Sequence, residues 1–173
     1  MLPYHEKAKS NAEEYARRTR CPLNECLGFG FDGIVFSTIS DTPGTTETAI
    51  KALRYEALYK RELTAYLQLQ HFDVRKICGF EVPTLLNYDD DLWIVEMGVV
   101  SPPCILDFAG SFDELHPDYQ EFPEYTEETR DSFGSRWGKV QEILSEFRRY
   151  GICLLDVRPS NIIFGEDWPS QTP

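Results

Sequence analysis

Gly151-Ile152-Cys153-Leu154-Leu155-Asp156-Val157-Arg158-Pro159-Ser160-Asn161-Ile162-Ile163-Phe164 is the stretch from which the rest of the chain is best read. It leaves a helix-like run at Tyr150-Gly151 and enters a β-branched, apolar run at Ile162-Ile163-Phe164. Between them, Asp156 and Asn161 stand five residues apart with Arg158-Pro159 inside the interval. Proline fixes its own φ and restricts the residue before it, so a carboxylate and a carboxamide are predicted on one stiff loop. Phosphoryl transfer uses such a pair: the acid orients and deprotonates an attacking hydroxyl, and the amide helps hold a metal ion that neutralises phosphate charge.

Three features upstream bear on that reading. Gly28-Phe29-Gly30-Phe31-Asp32-Gly33 follows Leu27 and precedes Ile34-Val35-Phe36. Glycines at 28, 30 and 33 let a backbone turn sharply and approach phosphate oxygens closely. A plain hairpin turn or a dinucleotide fold are the other readings. The latter needs a helix after the last glycine, whereas Ile34 to Ser40 is β-branched and predicts a strand. Asp41-Thr42-Pro43-Gly44 signals a turn, and Thr46 to Lys51 predicts a second strand ending on a lysine eighteen residues past Gly33. Arg54 to Gln70 lacks Gly and Pro, is rich in helix formers, and carries Glu62, with Glu56 as an alternative acid nearer Lys51.

Six signals in this order resemble the protein kinase family: glycine loop, strand lysine, helix glutamate, hinge, long helix and catalytic loop, over Leu27 to Phe164. Arg158 stands where that family usually has lysine, and Leu154-Leu155 where it has His-Arg. The resemblance implies an α+β fold, with an antiparallel five-stranded sheet and one main helix followed by a reduced helical lobe. It implies ATP and Mg2+ as cofactors, with nucleotide in the cleft between lobes. Asp156 would be the base, Arg158 would contact the transferred phosphoryl group, and Lys51, held by Glu62, would orient phosphates under Gly28, Gly30 and Gly33. The Glu96 carbonyl and the Gly98 amide would contact adenine beside a gatekeeper Val95, and Asn161 would bind magnesium. The corresponding segments are 1–26 as a helical extension, 27–97 as the first lobe and 98–173 as a minimal second lobe.

The family's second magnesium ligand lies in an Asp-Phe-Gly after the catalytic loop. Asp107-Phe108-Ala109-Gly110 is similar but precedes the loop, which argues against that role. Glu166 and Asp167 are the acids that follow Asn161, and Asp167 is the expected ligand. With only twelve residues after Asn161, a partner chain completing the second lobe is a further expectation. The implied activity is transfer of the ATP γ-phosphate to a Ser/Thr or other hydroxyl. The alternative is a pseudokinase, a nucleotide-binding or regulatory module.

The remaining elements follow from pattern. Residues 5–19 predict a helix with Ala8, Ala12, Tyr15 and Ala16 on one side, laid across a neighbouring lobe. Val82 to Tyr88 and Leu92 to Glu96 flank Asp89-Asp90-Asp91 and predict a hairpin. Phe133, Trp137, Val140, Leu144 and Phe147 step by four and three, predicting one amphipathic helix over Arg130 to Tyr150 with Gly151 at its C-terminal cap.

Composition excludes other classes. Net charge is -12, with 29 acids against 17 bases, which argues against nucleic-acid partners. The acids cluster in Asp113 to Asp131, a solvated segment or a dock for a basic partner. No apolar run approaches membrane-spanning length and the first residues lack an apolar core, so neither a span nor a leader is expected. Five cysteines form no Cys-x-x-Cys pair, which argues against zinc and for a reducing, cytoplasmic setting.

Overall fold

A computed structural model describes residues 5–39, 47–108, 111–113, 125–166 and 168. The chain divides into two compact units, residues 1–63 with 84–99, and residues 64–83 with 100–173. It is an α+β protein containing an antiparallel five-stranded sheet.

That sheet belongs to the first unit. β1 (Leu23–Phe29), β2 (Gly33–Thr38), β3 (Thr48–Leu53), β6 (Leu85–Asp89) and β7 (Ile94–Gly98) lie in the order β1-β2-β3-β7-β6. Val35, Lys51 and Val95 form one cross-strand row, with Ile34, Ala52 and Ile94 in the next. Because side chains alternate along a strand, these two rows face opposite sides of the sheet. Both outer strands are irregular: β1 carries two register shifts against β2, and β6 carries one against β7.

α1 (Glu6–Thr19) covers one face. Its Ala8, Ala12 and Tyr15 join Ile34, Phe36, Ile50, Ala52 and Ile94 in one buried cluster. Alanines at this spacing let the helix approach closely, and polar ties fix its position. Asn11 Nδ2 donates to the Leu92 carbonyl at 2.8 Å, and the buried Tyr15 hydroxyl donates to Glu96 Oε2 at 2.8 Å. Glu96 Oε1 in turn accepts from Thr48 Oγ1 at 3.2 Å. Burial, and then the Glu96 carboxylate, push the Tyr15 phenol well above its ordinary value. Tyr59, on the helix that follows β3, donates to Asp90 Oδ1 of the β6–β7 turn at 2.8 Å, and burial and then Asp90 raise its phenol likewise.

The second unit takes the later part of α2 (Glu56–His71), then β4 (Lys76–Ile77) and β5 (Phe80–Glu81). β8 (Cys104–Ile105), β9 (Ser111–Asp113), β10 (Ile152–Leu154) and β11 (Ile162–Ile163) complete its strands. They form a four-stranded sheet in the order β11-β8-β5-β4 and a β10-β9 pair. This unit was expected to be mainly helical. Its strands are two or three residues long, too short for an alternating pattern to show. The helix expected over Arg130 to Tyr150 is two helices, α3 (Glu127–Phe133) and α4 (Trp137–Arg149), joined by a 3-10 turn at Gly134–Arg136. Gly134 adopts φ 54 and ψ -129, a conformation open to glycine and costly for other residues, and that breaks the helix. Gly151 follows α4 with φ 74 and donates its amide to the Arg148 carbonyl, closing the helix end as its sequence position suggests.

An aromatic core holds this unit together. Phe108 meets Tyr66 edge-on with ring centroids 5.0 Å apart and lies 5.8 Å from Phe147. Phe80 packs against Phe164 and Trp168. No described helix is long and apolar enough to cross a membrane, and all five cysteines are free thiols.

Candidate functional site

In the first unit, the site is built on β3 and the first part of α2. Lys51 lies between Val35 and Val95 in the sheet, on the face opposite the α1 cluster. Its Nζ is 2.7 Å from Glu62 Oε2, and the side chains are 7% and 0% exposed. Desolvating both ions costs several kcal/mol per ion, and their attraction roughly offsets this only at close contact. Glu56, the alternative partner, instead pairs with Lys60 at the surface, 2.6 Å apart. Val95 adjoins Lys51 directly across the β3–β7 ladder.

Of the three glycines, Gly28 lies near the end of β1, Gly33 opens β2 and Gly30 stands in the turn between them. The Gly30 amide donates to the Gly33 carbonyl at 3.0 Å. Gly33 lies so close to β3 that a Cβ built on it would fall 2.1 Å from the Ala52 carbonyl oxygen. At Gly28 and Gly30 the same construction meets nothing within 4 Å among the described residues, so the turn has an open side there.

The two expected adenine contacts are less available. Glu96 sits inside β7, paired with Ile50 on one side and Asn87 on the other. The Gly98 amide donates to the Thr84 carbonyl at 3.0 Å, which commits it to the first unit's own hydrogen bonding. The sequence pattern located the strand but not its end, which extends through Gly98.

In the second unit, the loop after β10 folds on itself. The amides of Asn161 and Ile162 both donate to the Arg158 carbonyl, at 2.9 and 3.0 Å. Asn161 is buried, and its Nδ2 donates to Asp156 at both the main-chain oxygen and Oδ2, each at 3.0 Å. Arg158 Nη2 lies 2.6 Å from the same Oδ2. The loop thus joins Asp156, Arg158 and Asn161 in one constellation. Tyr125 braces its base, donating to the Leu154 carbonyl at 2.7 Å.

Asp107 also belongs to this constellation. Antiparallel β8 and β11 pair Ile105 with Ile162, and the Leu106 amide donates to the Asn161 carbonyl at 2.7 Å. The next residue, Asp107, offers a carboxylate oxygen within 4.8 Å of one on Asp156. It does so with φ 65, a left-handed conformation in which aspartate is among the better tolerated residues. The buried Phe108 anchors it from behind. Chain order had argued against Asp107, yet strand pairing brings this upstream segment to the loop. The signal was present in Asp107-Phe108 following an apolar pair, Cys104-Ile105. Asp167, the expected ligand, lies outside the described residues, and Glu166 is exposed.

The donor set suits a hard cation. Mg2+ takes oxygen ligands at about 2.1 Å, so two ligands on opposite sides of one ion stand about 4.2 Å apart. A carboxylate separation within 4.8 Å is compatible with that span. Asn161 spends its Nδ2 on Asp156, leaving Oδ1 as the atom to face an ion.

No protein-family model matches the chain, and no curated protein matches it.

Proposed function

We propose that this is an ATP-binding, kinase-like protein that transfers the γ-phosphate of ATP to a Ser/Thr or other hydroxyl, with Asp156 as the base. The observation that carries the reading is the Lys51–Glu62 ion pair, 2.7 Å long and sealed from solvent between a strand and a helix. A buried ion pair is poor value for stability, since apolar residues of similar volume do as well or better. Its retention fits a chemical task, holding an ammonium group for phosphate oxygens. The strand order of the five-stranded sheet and the Asp156–Asn161 loop support the same reading.

Asp156 has two carboxylate oxygens, and both Arg158 and Asn161 engage Oδ2. Oδ1 is then the oxygen to take the proton of an attacking hydroxyl, while Asn161 fixes the carboxylate's orientation. Lys51 neutralises phosphate oxygens, and the amides of the Gly28–Gly33 turn cover them. Mg2+ held by Asn161 Oδ1 and Asp107, the latter replacing Asp167 in our assignment, would supply further neutralisation of phosphate charge. Free thiols fit a reducing, ATP-rich cytoplasm.

One observation favours the second reading, a pseudokinase that binds nucleotide as a regulatory module. The Arg158 guanidinium sits on the catalytic carboxylate rather than beside it, and an incoming hydroxyl must compete with it.

Thermal shift with ATP, with and without Mg2+, tests nucleotide binding. At a concentration about 100 times Kd, ligand stabilises a protein by about 2.7 kcal/mol. Radiolabelled phosphate transfer by wild type and Asp156→Ala separates the two readings. Equal transfer by both removes the enzyme, and no thermal shift under either condition removes nucleotide binding altogether.

A further inference from the structure

We infer that His5 is a positioning residue for the glycine-rich turn, so that α1 sets how firmly that turn holds phosphate. The second half of this statement rests on the nucleotide reading above; the first does not.

His5 immediately precedes α1, where a side chain ordinarily caps the helix, yet it makes no capping bond. Its ring instead turns inward and is 2% exposed. Nε2 donates to the Gly30 carbonyl at 2.8 Å, across 25 residues of sequence. The ring also meets Phe29 edge-on, with centroids 5.9 Å apart. Gly30 is therefore held by both main-chain groups, its amide by Gly33 and its carbonyl by His5.

The later half of the turn has its own ties, the Arg54 amide donating to the Asp32 carbonyl at 2.8 Å and Phe31 lying 6.4 Å from the Tyr55 ring, whereas side-chain packing is sparse around Gly28 and Gly30. The space around a Cβ at Gly28 or Gly30 is empty to 4 Å among the described residues, and Phe29 and Phe31 are each 72% exposed. A glycine stretch with sparse side-chain packing samples many backbone states, and each state that aims its amides away from phosphate lowers affinity. An external donor at Gly30 removes those states in advance. The donor is itself on a rigid base, since α1 is tied to the sheet through Asn11 and Tyr15 and by its buried alanines.

The test follows hydrogen exchange at the Gly30 amide, divided by exchange at the Ile50 amide in β3 so that any global loss of stability cancels. In the nucleotide-free full chain, His5→Phe keeps the edge contact and removes the donor. The ratio should rise about fivefold, the equilibrium equivalent of one neutral hydrogen bond. His5→Gln restores an N–H donor and should return the ratio to the wild-type value. Arg17→Ala, which cuts only an exposed ion pair of α1 with Glu14, should leave it unchanged. In parallel, Kd for MgATP should weaken by a similar factor in His5→Phe and recover in His5→Gln. An unchanged exchange ratio in His5→Phe overturns the positioning role. A raised ratio with unaltered Kd overturns its link to phosphate. A raised ratio in His5→Phe, found together with a wild-type chain that binds no ATP, leaves the positioning role standing and defeats the nucleotide reading instead.

Discussion

Removing one partner of the Lys51–Glu62 pair should be far more harmful than removing both. Glu62→Leu leaves an ammonium group whose carboxylate lay 2.7 Å away, in a site where the lysine side chain is 7% exposed and the glutamate 0%. Stranding a buried charge in this way costs about 3–5 kcal/mol. For a chain of this size, each kcal/mol moves Tm by about 2–4 °C, so the single variant should melt roughly 6–20 °C below wild type. The double variant Lys51→Met/Glu62→Leu replaces the pair with apolar groups of similar length, and such replacements are neutral or stabilising by about 1–4 kcal/mol. Urea denaturation of the four chains gives the cycle, and its interaction energy should be about 3 kcal/mol or larger in magnitude. Stability and binding should then part company: the double variant folds as well as wild type, yet ATP no longer raises its Tm. A Glu62→Leu penalty below about 1 kcal/mol would show the lysine reaching water. A double variant that still answers to ATP would refute the assignment of Lys51 to phosphate.

Three other outcomes are expected. Gly33→Ala should destabilise the fold by about 2 kcal/mol or more, because the new methyl meets the Ala52 carbonyl, while Gly28→Ala and Gly30→Ala should stay within about 0.5 kcal/mol of wild type by chemical denaturation. Asp107→Asn suits the left-handed backbone at that position, so Tm should hold while the Mg2+-dependent part of the ATP thermal shift disappears. The phenols of Tyr15 and Tyr59 are raised in the folded chain, so the stability they confer is complete below their unfolded value near pH 10 and is lost as pH climbs beyond it. Tyr15→Phe should cost about 1–3 kcal/mol at pH 7 and flatten the alkaline fall in Tm.

Much of the first unit can be read from sequence because its elements are long and their periods clear. The β-branched run after Gly33, the Gly- and Pro-free run before Gln70 and the acidic turn at Asp89–Asp91 each point one way. Of the two acids that the helix offers near Lys51, Glu62 makes the contact while Glu56 turns to Lys60. The second unit resists such reading. Its two- and three-residue strands exist because distant segments pair, a property no local window contains. The break at Gly134 was hidden because the apolar steps through Phe133 and Trp137 continue across the 3-10 turn as if one helix ran on. Chain order argues against Asp107, and antiparallel pairing of β8 with β11 brings it to the loop all the same. His5 carried no signal at all, since its partner is a main-chain carbonyl.

The register shifts of the five-stranded sheet fall on its two outermost strands, each with extra residues relative to its neighbour, whereas β2, β3 and β7 run in unbroken register. A free sheet margin is a template onto which another chain can add a strand, provided its donors and acceptors repeat regularly. Here the repeat is interrupted twice along β1 and once along β6, so an added strand would fall out of step within a few residues. Strand addition is thereby discouraged at both margins, including the one where the end of β1 and the turn after it expose Phe29 and Phe31.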